Sequence, residues 1–333
     1  MKTNTTSKKL TVLILSGILI FGCKKETTDL SNTESAATTS TATKPLSLSS
    51  DEPQKPIKWF TTVYNTDYLS VGTGGLRDDD IGQINVIGTF PLNSVTKAYL
   101  YWHGDSPIEA ETGITMKLNG LNVTGTNIGV TWMSDGTGNP PYIGVNSQAY
   151  RADVTAVVKS SSSRVFTVSN FGQLIANGAS LILFYQDGNS NNNRDIVLFN
   201  GNDWNGNTGF SGPGLRYDYD RTGWDVLLSG VKYTSGIVNV TMHVSDGQHF
   251  IDDYLYLNNV ELGRKIFKGN SVPGSTATRA GRWDIMPIEV SRILTPGINS
   301  MRLTTPEAYD DFLNLIVVVF NLPKGAAPVQ VVK

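Results

Sequence analysis

Residues 179–201, ASLILFYQDGNSNNNRDIVLFNG, constrain this chain more than any other stretch. Two apolar runs, 179–185 and 195–199, flank a polar Gly/Asn segment. Each is short, rich in Leu, Ile, Val and Phe, and bounded by turn formers, so each reads as a strand covered on both faces. Their spacing predicts an antiparallel hairpin. The same pattern recurs from Ile57 onward: 58–64, 84–90, 98–102, 114–118 and 165–168 are β-branched and aromatic runs between Gly, Asn, Asp and Pro clusters. No stretch keeps a helical period. The fold class that follows is all-β.

The two halves of the chain carry matching segments. Leu118-Asn119-Gly120-Leu121-Asn122-Val123 parallels Leu257-Asn258-Asn259-Val260-Glu261-Leu262. Both are strands running into an Asn-led two-residue turn, which suits residues that tolerate positive φ. Residues 153–158 parallel 289–294, and 181–185 parallel 316–320, so the offsets are 257−118 = 139, 289−153 = 136 and 316−181 = 135. Kept order with slow drift is what duplication followed by small loop changes produces. The expected architecture is two tandem jelly-roll-like antiparallel β-sandwiches. The first spans 57–201 and the second 224–322, with an interdomain loop at 202–223, where Gly and polar residues displace strand pattern, and a tail at 323–333.

The first 22 residues read as an export signal. Lys8 and Lys9 precede an uncharged apolar run at 10–21, too short to span a bilayer as a permanent helix. The run ends in Ile20-Phe21-Gly22-Cys23, which resembles the lipobox of bacterial lipoproteins, with a bulky Phe21 as a mild departure. That resemblance implies cleavage before Cys23 and its acylation. Cys23 is the only cysteine, so the chain forms no internal disulfide. One acyl chain binds a membrane marginally, whereas three make release negligible. The charged Lys24-Lys25-Glu26 resembles tracts on lipoproteins sent to the outer surface, so the expected location is the outer membrane, with the surface-facing orientation favoured and the periplasmic one left open. Residues 24–56 hold 13 Ser or Thr and no apolar periodicity, the composition of a disordered tether. Its reach is roughly 30–35 Å. Loss of residues 1–22 removes three lysines and no acids, leaving 24 − 29 = −5, a balance that argues against a nucleic-acid partner.

Candidate site residues fall into two groups. Acidic clusters, Asp246 with Asp252 and Asp253, and Asp310 with Asp311, gather oxygens of the kind that bind a structural calcium; Asp78-Asp79-Asp80 is a third cluster. Solvated charges at strand entrances that blunt sheet edges are the better reading. The stretch from Asp187 imitates the opening of an EF-hand loop but has Asn192 at position six and Leu198 at position twelve, so a plain turn is the better reading. His243, Asp246 and His249 form a sparse zinc-like spacing without helical placement, and His103 is solitary. The second group is loop aromatics: Trp132 and Tyr142 in one long loop, and Trp204, Tyr217 and Tyr219 in the interdomain segment. Flat rings pack on apolar sugar faces while Asn and Asp bond hydroxyls, and the same rings could equally cement the two domains. Trp102 and Trp283 lie within strand pattern and are expected in the core.

Lys97-Ala98-Tyr99-Leu100-Tyr101-Trp102, the 150–158 stretch and 178–201 resemble a family of secreted bacterial and archaeal β-sandwich proteins of largely uncharacterised function, over most of 95–322. Residues 257–263 and 283–303, with the turn Thr295-Pro296-Gly297-Ile298-Asn299, look like jelly-roll modules appended to glycan-active proteins. The expected function is a non-catalytic surface binding module, with glycans the leading ligand class and no certain cofactor. The alternatives are a structural envelope protein with a protein partner and a glycoside hydrolase using paired carboxylates.

Overall fold

The computed structural model describes residues 56–106, 112–134, 144–205, 223–250, 252–274, 281–304 and 313–329, with the backbone alone at 131–134 and 144–145. Among these, no helix is long and apolar enough to cross a membrane. In chain order the first elements are β1 (Ile57–Thr73), the short helix α1 (Leu76–Asp79), β2 (Ile81–Asn85), β3 (Val95–Ser106), β4 (Thr115–Leu118), β5 (Leu121–Thr124), β6 (Thr126–Ser134) and β7 (Gly144–Asp153). Helix α2 (Thr155–Ser160), β8 (Val165–Ser169) and β9 (Ile175–Tyr185) follow. Then come β10 (Arg194–Trp204), β11 (Trp224–Val231), β12 (Asn239–Ser245), β13 (Leu255–Leu257), β14 (Val260–Gly263), β15 (Trp283–Glu289), β16 (Gly297–Leu303) and β17 (Asn314–Pro323). The protein is an all-β sandwich structure, as the strand pattern predicts.

Strand β1 joins the two halves. Its residues 57–66 pair antiparallel with β10, and its residues 67–73 pair antiparallel with β9. The nine-stranded sheet β15-β12-β17-β10-β1-β9-β3-β7-β6 is therefore two inner leaves handed over at the middle of β1. The expected hairpin of 179–199 is corrected by this arrangement: β9 and β10 do not pair with each other, because each takes a different half of β1 as its partner. The Asp187 turn instead carries the chain from one leaf to the other. It is closed by its own side chains, Asp187 accepting from the Asn189 N–H at 2.7 Å and from Asn192 Nδ2 at 2.7 Å. Strand β10 runs through the expected boundary as far as Trp204 and belongs to the leaf of the second half, so the expected interdomain loop does not begin at 202.

Side-chain parity shows how the layers stack. Along β9, Leu181 and Leu183 enter a core shared with the outer sheet β2-β8-β4-β5, while Ile182 and Phe184 face the opposite way. Along β10, Val197 and Phe199 enter a core shared with the outer sheet β11-β16-β13-β14, while Ile196 and Leu198 join Ile182 and Phe184. That third core, with Tyr101, Trp283, Ile316, Val317 and Val319, lies between the two inner leaves. The order is outer, inner, inner, outer. Inner strands are covered on both faces, which is why their sequences read as unbroken apolar runs. Each fully buried Ile, Leu or Phe contributes about 1.5–3 kcal/mol relative to exposure, so separating the leaves is costly.

The two outer sheets have the same strand order, β2-β8-β4-β5 and β11-β16-β13-β14. The duplication read from the sequence is visible here in detail. Asn119 and Gly120 sit at φ 50° and 79°, and Asn258 and Asn259 at φ 50° and 63°. In each copy the first Asn side chain accepts from the neighbouring strand, from the Thr167 N–H at 2.7 Å and the Ser300 N–H at 3.0 Å.

Close packing of the leaves is testable at Gly178, where an added Cβ would lie 2.5 Å from Cβ and Cγ of the buried Trp283. The indole is enclosed and cannot move aside. Gly178→Ala is expected to destabilise the protein by about 1–3 kcal/mol, read from the urea midpoint at constant slope. A variant as stable as wild type would mean that the leaves are loosely packed.

Candidate functional site

The face shared by the inner leaves turns polar at one end. On β3, Tyr101, His103 and Asp105 alternate with the core residues Leu100 and Trp102; on β12, Thr241, His243 and Ser245 alternate with Val240, Met242 and Val244. Register fixes which strand ends meet there. Asp105 pairs with Ser147, Trp132 with Asn146, Ser245 with both Trp283 and Asn314, and Trp204 with Asn314. Hence β3, β6, β10 and β12 finish, and β7, β15 and β17 begin, at one end of the molecule.

Two buried histidines tie the leaves together. His103 bonds Ser147 Oγ through Nε2 and Ser245 Oγ through Nδ1, each at 2.6 Å. His243 bonds Ser70 Oγ through Nε2 at 2.5 Å and Ser180 Oγ through Nδ1 at 2.7 Å. They occupy equivalent strands, and 243 − 103 = 140 continues the repeat offset. Burial pushes both imidazoles down to about 3, with the Arg77 charge adding to the effect at His103. Serine hydroxyls on both ring nitrogens suit the neutral ring, since a hydroxyl can donate or accept.

The hydrogen-bond chain continues to both sides of His103. On one side Asn202 Nδ2 donates to Ser147 O at 2.9 Å, and Asn314 Nδ2 donates to Ser147 Oγ and to Asn202 Oδ1, both at 3.0 Å. On the other side Asn177 Nδ2 donates to Ser245 Oγ at 2.9 Å, and Arg77 Nε donates to Asn177 Oδ1 at 2.8 Å. Arg77 stands on α1, which is positioned by the glycines before it. The Gly74 and Gly75 N–H groups donate to Pro273 O at 2.7 Å and Gly281 O at 2.6 Å. Gly75 has φ +72°, and a Cβ there would lie 2.3 Å from Gly274 O, so only glycine allows this approach.

The chain ends in a charged cluster. Arg77 Nη2 bonds Asp105 Oδ2 and lies 3.5 Å from Asp246 Oδ1, to which Arg282 Nη1 donates at 2.7 Å. The aspartates are nearly covered, at 10% and 13% side-chain exposure, while the arginines reach 27% and 28%. Burial pushes the Asp105 carboxyl up to about 7, the Asp246 charge pushes the same way, and Arg77 and Arg282 oppose both. The cluster thus offers guanidinium donors at the surface above carboxylate acceptors beneath.

The residues singled out from sequence are distributed as follows. Trp204 is not a loop ring but the end of β10; it is 2% exposed and presents no stacking face. The backbone of Trp132 pairs with Asn146 in β6, and its side chain lies outside the described part, as do Cys23, Tyr142, Tyr217, Tyr219, Asp310 and Asp311. Asp246 belongs to the cluster above. Asp252 Oδ2 accepts from the Phe267 N–H at 2.6 Å, and Asp253 Oδ1 from the Tyr254 N–H at 2.8 Å. Among the described residues no three His, Cys, Asp or Glu side chains gather as a metal group. His243 spends both nitrogens on serines and His249 is exposed, so the zinc-like spacing brings nothing together. Sequence reasoning missed Arg77, Asp105, Asn177 and Arg282, and it left His103 unpaired although the repeat offset leads from His243 to it.

Comparisons with known proteins add no identity. No family profile and no curated protein matches the chain. Among solved structures, the chain is similar to one described as PNGF-II, at 11% identity and TM-score 0.27, covering 77% of this chain and 66% of that one. The chain thus spans just under two thirds of that neighbour's length. Another is a peptide-N(4)-(N-acetyl-beta-D-glucosaminyl) asparagine amidase, at 9% identity and TM-score 0.25, covering 79% of this chain and 98% of that one. Likeness at this level carries no functional argument.

The buried groups set a pH dependence. The histidines stay neutral in the fold down to about pH 3 but take up protons near 6.5 when unfolded, so their contribution is full above pH 6.5 and is lost as pH falls. Asp105 acts oppositely. Its carboxyl is protonated up to about 7 in the fold but only to about 3.8 when unfolded, so its contribution is full below pH 3.8 and is lost as pH rises through 7. Urea midpoints between pH 4 and 8 should therefore show a weaker acid loss in His243→Gln and a weaker loss toward pH 7 in Asp105→Asn. Curves parallel to wild type in both variants would contradict this assignment.

Proposed function

We propose that this protein is a lipid-anchored outer-membrane protein, facing outward, whose paired sandwiches form a non-catalytic binding module for glycans. Acylation of Cys23 and the Ser/Thr-rich tether after it would hold the folded body clear of lipid headgroups. The observation that carries the reading is the convergence of strand ends from both inner leaves on one cluster, where partly exposed Arg77 and Arg282 stand over Asp105 and Asp246. Donors and acceptors alternate there, with Asn177 behind them. That pattern complements sugar hydroxyls, each of which both donates and accepts.

The test is a printed glycan array probed with the mature chain carrying Cys23→Ser, with calcium, with chelator, and with Trp132→Ala. The expected result is selective binding that survives chelation and weakens in Trp132→Ala. Loss on chelation would make the module metal-dependent. Absence of binding to every glycan would overturn the reading in favour of a protein partner in the envelope.

A further inference from the structure

Asp105 has an oxygen that the fold leaves unexplained. Its Oδ2 takes the Arg77 guanidinium, but Oδ1 has no hydrogen-bond partner among the described residues although the side chain is only 10% exposed. Buried acceptors without a donor are rare in native proteins, and each calls for a water, an ion or a ligand. The surroundings narrow the choice. A cation would meet two guanidinium groups, Arg77 and Arg282, that already neutralise the aspartates. An anion would meet Asp105 and Asp246. A neutral group that both donates and accepts has no such conflict. Arg77 Nη1 and Arg282 Nε and Nη2 have no acceptor among the described residues, just as Asp105 Oδ1 has no donor.

We infer that this cluster is a subsite for an uncharged sugar, in which one ligand hydroxyl donates to Asp105 Oδ1 and a ligand oxygen accepts from the remaining N–H groups of Arg77 and Arg282. The inference rests on the glycan-binding reading and narrows it to neutral rather than acidic glycans. The acceptor is the ionised carboxyl, and the groups facing it are Asp246, Arg77 and Arg282, with the neutral His103 behind. Since burial holds Asp105 protonated up to about 7, binding strengthens as pH rises through that range.

Isothermal titration of the soluble mature chain with one neutral and one uronate-bearing oligosaccharide from the array, at pH 5.5 and pH 8, tests this. The neutral sugar should bind about tenfold or more tightly at pH 8, and Asp105→Asn should lose both the affinity and its pH dependence. Arg282→Gln alters a partly exposed side chain, so it serves as the second variant and should also weaken binding. Neutral-sugar binding that both variants keep at wild-type strength overturns the subsite and leaves the glycan reading standing. Binding of the uronate sugar alone overturns the sugar class. No binding to any glycan overturns the subsite and the reading together.

Discussion

The face that the two inner leaves bury against each other is the constraint on which the rest of the structure depends. Without it each sandwich would expose Ile182 and Phe184 on one side or Ile316, Val317 and Val319 on the other, a broad apolar surface in water. With it, two copies of one motif become a four-layered body, and β1 fastens them by pairing with both. The leaves must also approach closely. Gly178 against Trp283, and Gly72 against Ile285, are places where a side chain would hold them apart.

Such a face cannot be apolar to its ends, because strand termini bring polar backbone and loops with them. Here the transition is made by paired polar side chains that cross from leaf to leaf: Ser70 and Ser180 to His243, Ser245 to His103, Asn314 to Ser147, and Arg77 to Asp246. Each buried polar group in this series would cost stability alone, and each is compensated by its partner. Asp105 Oδ1 and Asn314 Oδ1 have no donor among the described residues, and Asp105 lies where two arginines still reach solvent. A network whose charged outer end keeps an acceptor without a donor is suited to a ligand completing it.

Much of the fold was legible in the sequence. Short β-branched and aromatic runs between turn formers marked the all-β class, and the Asn-led turns at Asn119 and Asn258 marked the duplication, because local φ preference fixes them. The hairpin was misread because apolar runs around a turn say nothing about a third strand, β1, that arrives from more than 100 residues away. Trp204 was misread for a related reason. Asn200, Asn202 and Asp203 look like turn residues in sequence, yet they continue β10, and Asn200 and Asn202 are polar because they bond Tyr101 and Ser147 across the shared face. Of the charged cluster only Asp246 was singled out, and for a different grouping. Arg77, Asp105, Asp246 and Arg282 come from four distant points of the chain, and only the stacking of the leaves assembles them.

Native-state hydrogen exchange tests most directly whether the two sandwiches form one body. Slowest-exchanging amides of β3 and β9 on one leaf and of β12 and β17 on the other should report the same opening free energy and the same denaturant slope, because neither leaf survives loss of the shared core. If one pair of strands exchanges through an opening that leaves the other protected, the sandwiches are independent domains in contact, and the site between them has no rigid frame.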